Sequence, residues 1–129
     1  VKTVYPKWGH MNPFWVHTKA VLEQLFGNTS ARILLHLFHY GETHARGIAT
    51  DYESVVNPFK RQLDRLELTG LLVSKMAGRT RLYQFNPKSP FTAPVKKIVE
   101  IAYESLPLAE RQRLFSARRR PRRKGKPVR

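Results

Sequence analysis

The 129-residue chain contains no cysteine. A disulfide framework, a thiolate metal site and a cysteine nucleophile are therefore excluded. Acids are scarce: nine Asp and Glu stand against 24 Lys and Arg, a formal charge of +15. No apolar run approaches the ~20 residues of a membrane span, and the first residues lack the apolar core of a signal peptide. A cytoplasmic location without membrane contact is expected. Enzyme signatures are missing too, among them G-x-x-x-x-G-K-[ST], H-E-x-x-H and G-x-S-x-G. Glu23, Glu42 and Glu100 are scattered at surface spacing, so neither a catalytic residue nor a cofactor is expected. Histidine supplies no metal cluster: His36 and His39 share a helical stripe with Arg32, which disfavours a cation, and His10, His17 and His44 stand alone. Both stripe histidines are expected to face solvent.

What the chain has in abundance is positive charge, and it points to a polyanionic partner. The charge is uneven. Ten of the 24 basic residues lie in 111–129, which holds no acid, leaving an excess of +5 elsewhere. Residues 117–129 read as a disordered basic tail, in which Arg119, Arg120, Arg122 and Arg123 are expected to touch phosphate without regard to sequence. Lys124-Gly125-Lys126-Pro127 is similar to an AT-hook core with lysine in place of arginine. A solubilising tail is the bland alternative.

The 41% hydrophobic share suffices for one modest core. Residues 1–17 are rich in proline and aromatics (Pro6, Trp8, Pro13, Phe14, Trp15) and read as an arm. Thr18 is placed to cap a helix carrying Val21, Leu22, Leu25 and Phe26. A central helix from about Thr29 to Tyr40 follows, with a wide apolar arc of Ile33, Leu34, Leu37 and Phe38. Glu42–His44 reads as a short strand and Ala45–Thr50 as a short helix containing Gly47.

The next helix is expected over 57–68, with Asn57 as N-cap and Pro58 in the first turn. Phe59, Leu63 and Leu66 share its apolar face. The opposite side offers Asn57, Arg61, Asp64 and Arg65, with Lys60 at the flank. Arg and Lys suit guanine edges or phosphate, and Asn suits adenine. Asp64 either accepts from cytosine or holds Arg61 or Lys60 in place. Gly70 ends this helix. Leu71–Lys75 and Thr80–Phe85 then form a hairpin around Ala77-Gly78, whose cations Lys75, Arg79 and Arg81 repel one another unless a phosphate backbone relieves them.

From Pro94, the residues Val95, Ile98, Val99, Ala102, Tyr103 and Leu106 trace an amphipathic stripe. It either completes the chain's own core or pairs with a second copy. A two-fold dimer would match DNA half-sites about 34–36 Å apart. A shorter helix is expected over Leu108–Phe115.

These elements in this order describe an α+β, mostly helical fold: a winged helix-turn-helix with a C-terminal amphipathic helix. The expected organisation is an arm (1–17), a winged domain (18–87), a dimerisation segment (91–116) and the tail (117–129). Leu63-Asp64-Arg65-Leu66-Glu67-Leu68-Thr69-Gly70-Leu71-Leu72, followed by Gly78-Arg79-Thr80-Arg81-Leu82-Tyr83, resembles winged-helix regulators of the ArsR-like type over about residues 25–87. That resemblance implies a dimeric prokaryotic transcriptional regulator, associated with the nucleoid. Its domain would place its third helix (57–68) in the major groove, with Arg61 and Arg79 as DNA contacts. The chain departs from the family at Gly47-Ile48-Ala49 and in the glycine-free turn Asp51-Tyr52-Glu53-Ser54, whose acids would repel phosphate near the start of that helix. Two other readings use the same residues: a winged-helix adaptor for protein partners, and an RNA-binding protein with loose affinity from the tail.

Overall fold

A computed structural model describes residues 14–115. Residues 1–13 of the expected arm and residues 116–129, including Arg119, Arg120, Arg122 and Arg123, lie outside the described residues. Among those described are six helices and one antiparallel two-stranded sheet, an α+β arrangement compatible with a winged helix. The elements run α1 (Phe14–Phe26), α2 (Asn28–Tyr40), α3 (Ala45–Asp51), α4 (Asn57–Leu68), β1 (Leu72–Ala77), β2 (Thr80–Phe85), α5 (Thr92–Glu104) and α6 (Leu108–Phe115).

Helix α1 starts at Phe14, four residues before the expected cap at Thr18. A proline ahead of a helix removes no helical hydrogen bond, because first-turn N–H groups have no helical acceptor. A helix can therefore begin ahead of Thr18 in this part of the sequence. Helix α2 is the hub. Ala31, Leu34 and Leu35 belong to one apolar cluster with Leu22, Val99, Ala102, Leu106, Leu114 and Phe115. Ile33 and Leu37 belong to a second with Ile48, Phe59, Leu63, Leu72 and Tyr83. Burial on both sides is why its apolar arc is so wide.

The stripe on α5 is consumed by the chain's own core. Val99, Ala102 and Leu106 are buried, and Val95 and Tyr103 pack against the same cluster, facing α1 and α2. Of the six residues assigned to a dimer contact, only Ile98 is exposed, beside the still more exposed Ile101. The described part of that segment, residues 91–115, thus packs on the body built by 18–87. Two cations of the basic C-terminal block are also engaged there. Arg113 pairs with Glu110 at 2.8 Å, and Arg111 lies 4.7 Å from the centre of the Tyr103 ring.

Polar residues correct the sequence reading most. His36 does not face solvent. It is fully buried, with Nε2 2.6 Å from Asp51 Oδ2 and Nδ1 2.7 Å from Thr43 Oγ1. Since a carboxylate only accepts, Nε2 carries the proton. The side chain of Asp51, expected to confront phosphate, is 1% exposed and contacts the His36 ring. His39 remains exposed but its ring stacks on Phe115 at 4.6 Å, and Nδ1 lies 2.7 Å from the Tyr103 hydroxyl. The strand expected at Glu42–His44 reduces to one bridge, in which Thr43 and Tyr83 exchange both backbone hydrogen bonds (3.0 and 2.8 Å).

Candidate nucleic-acid interface

Helix α4 forms because Phe59, Leu63 and Leu66 recur on one side, and it docks that side against α2, α3 and β1. Phe59 and Leu63 are almost wholly buried, and each stabilises the docked helix by about 1.5–3 kcal/mol. Asn57 is not its cap. Val56 holds that position: its carbonyl accepts from Phe59 and Lys60 N–H at 3.0 and 3.1 Å, and no side chain caps the end. Asn57 is instead the first helical residue, exposed beside Pro58. The helix ends at Gly70, whose φ of +87° suits a residue without Cβ.

The turn into α4 contains no glycine, and Glu53 takes the left-handed conformation there (φ +52°), alone among the described non-glycine residues. Glu53 N–H bonds Thr50 O at 3.2 Å and Ser54 N–H bonds Ala49 O at 2.9 Å, which holds the turn. Gly47 does not interrupt α3 and is buried. With Asp51 withdrawn to His36, Glu53 is the one acid of that turn left at the surface.

Two populations of charge appear on α4. Lys60 and Arg61 are exposed, with no hydrogen bond or ion pair among the described residues. Arg65 is exposed and lies along the helix, Nη1 3.3 Å from Gln62 Oε1. Asp64 is exposed but restrains neither Lys60 nor Arg61: its Oδ1 accepts the Tyr83 hydroxyl at 2.8 Å. Burial first, and then this bond and the carboxylate's charge, push the Tyr83 hydroxyl up to about 12, so it stays a donor.

The hairpin pairs Leu72 with Phe85, Ser74 with Tyr83, and Met76 with Arg81. Its link is Gly78-Arg79, one residue later than expected. Glycine at the first central position with φ +67° matches a II′ turn. Arg79 therefore occupies the exposed tip, with Lys75 exposed on β1. Arg81 is more constrained: Nη1 donates to Ser74 Oγ at 2.9 Å, and Ser74 donates to Glu67 Oε2 at 2.7 Å.

Asn57, Lys60, Arg61 and Arg65 are thus exposed on α4, and Lys75, Arg79 and Arg81 are exposed on the hairpin whose first strand packs against it. Asp64 is exposed on the same helix, with one carboxylate oxygen engaged by the Tyr83 hydroxyl. Leu68, a residue outside the expected site, is 86% exposed on the same helix. Leu68 stands seven residues after Arg61, two helical turns along the same face, and that spacing was the available signal. An exposed leucine beside arginines offers apolar contact to a thymine methyl.

Among the described residues no group of three or more His, Asp or Glu could hold a metal ion, and no helix is long and apolar enough to cross a membrane. Comparison with known protein families, with curated proteins and with solved structures finds no match.

Proposed function

We propose that the chain is a winged helix-turn-helix protein that binds duplex DNA in a sequence-dependent way, as a dimeric regulator of transcription. Helix α4 would enter the major groove and the hairpin would act as a wing on the neighbouring backbone. One observation carries this reading: between residues 57 and 85 six cations stand against two acids, and both acids are bonded to hairpin hydroxyls. What α4 leaves unspent is therefore cationic. Lys60 and Arg61 are free to bond guanine edges or phosphate, and Arg79 and Lys75 are placed for backbone contact. Exposed Val21, Leu25, Ile98 and Ile101 on α1 and α5 offer the remaining surface for a second copy.

The test separates reading from sticking. DNA fragments are selected with protein lacking residues 117–129, and binding is measured on selected and scrambled duplexes across salt concentrations. Arg61→Ala is expected to cut the preference for the selected duplex by about 5- to 150-fold, the range of 1–3 kcal/mol for one bidentate base contact. Restoring the tail should strengthen both duplexes alike and steepen the salt dependence. If Arg61→Ala left the preference intact and tail removal abolished all binding, α4 would not be the reading element.

A further inference from the structure

Ser74 and Tyr83 are directly opposed across the two strands, so their side chains leave the same face of the hairpin. Asp64 and Glu67 are three residues apart on α4 and likewise share a face. The two spacings match, and each hairpin hydroxyl donates to one carboxylate: Tyr83 to Asp64 at 2.8 Å and Ser74 to Glu67 at 2.7 Å. We infer that this paired contact is a clamp that sets the angle of the wing against α4, making Asp64 and Glu67 positioning residues for DNA recognition. The inference rests on the reading that α4 and the wing meet duplex DNA together.

A two-stranded ribbon has little stiffness of its own. The base of this one is held by buried Leu72 and Tyr83 and by the backbone exchange with Thr43. Beyond Tyr83 the strands run exposed to Arg79, about 13 Å at 3.3 Å per residue. A 10° swing about the base would carry Arg79 about 2 Å, enough to break a hydrogen bond to phosphate. The clamp acts where that swing begins, and Arg81, donating to Ser74, extends it one pair toward the tip. Bonds to ionised oxygens are stronger than neutral ones, which favours carboxylates as the acceptors. The arrangement explains why a DNA-facing helix carries two acids: each bonds the wing.

The absence of native cysteine allows a direct measurement. Spin labels on cysteines introduced at Ala77 and at exposed Lys97 on α5 report the wing's distance from the body by electron–electron resonance. One narrow distance distribution is expected in the parent and in Asp64→Asn/Glu67→Gln, which keeps both acceptors. Tyr83→Phe/Glu67→Ala, which removes both bonds, should broaden it and lower the preference for the selected duplex at least fivefold. The acceptor-retaining variant removes more negative charge, so a purely electrostatic effect would be larger there. A narrow distribution in Tyr83→Phe/Glu67→Ala overturns the clamp, as does a broad one with unchanged preference. If the double variant melts below the assay temperature, Tyr83→Phe alone is read by the same criteria. Loss of the DNA-reading model itself would show differently, as an Arg61→Ala variant with unaltered preference beside the same distances.

Discussion

Replacing Asp51 by alanine distinguishes a surface acid from a buried one. The His36 ring is 0% exposed and the Asp51 carboxylate 1%, with 2.6 Å between Nε2 and Oδ2. Alanine would remove the acceptor and leave a buried ring N–H facing a small void, while Thr43 still holds the other nitrogen. A hydrogen bond to a charged partner is worth about 1.5–3 kcal/mol, and a buried donor deprived of its acceptor forfeits its solvation as well. The expected loss is about 2–4 kcal/mol, a large share of the stability of a domain this size. At about 4–8 °C per kcal/mol, the melting temperature should fall on the order of 10–25 °C. Urea unfolding followed by far-ultraviolet circular dichroism measures the free energy, and Asp51→Asn, which retains a carbonyl acceptor, should lose less than half as much. A loss under about 1 kcal/mol for Asp51→Ala, together with tighter DNA binding, would refute the reasoning: it would mean the carboxylate stands at the protein surface and repels phosphate.

Two further outcomes follow from local geometry. Glu53→Gly relieves a left-handed residue costing about 1–2 kcal/mol, against about 0.5–1 kcal/mol of added unfolded-state entropy. It should therefore raise unfolding free energy by up to about 1 kcal/mol, and a loss of stability would show the turn to be unstrained. The His39 imidazole is held below its usual 6.5, first by burial and then by the Arg111 charge. Because the unfolded chain takes up that proton more readily, this contribution is complete above about pH 6.5 and is lost as pH falls through the lower folded value. Titration by nuclear magnetic resonance should place His39 below 6.5, and Arg111→Ala should raise it only in part. A value above 6.5 would contradict the packing of the ring against Phe115.

Much of the architecture was legible because periodicity is a local signal. The wide arc of α2, the inward face of α4 and the Gly78 turn each follow from residues within a dozen positions. The same locality explains the misreadings. His36 looks solvent-facing on a helical wheel, because its partners Thr43 and Asp51 arrive from seven and fifteen residues away. Asp64 was weighed against neighbours on its own helix, yet its partner Tyr83 is nineteen residues on. The stripe on α5 is equally apolar whether it meets α1 and α2 or a second copy, so amphipathicity alone left that choice open.

By itself, the sequence determined the number and order of the helices, the hairpin and the surplus of positive charge. These depend on side-chain spacing, turn chemistry and composition, all of which operate along the chain. Only the tertiary structure decided which charges remain available. It buried Asp51 against His36, tied Asp64 and Glu67 to the hairpin, and left Lys60, Arg61, Lys75 and Arg79 exposed. The physical reason is that a charged side chain is committed by whatever polar atom lies within about 3 Å of it, and such neighbours come from elements the sequence keeps apart.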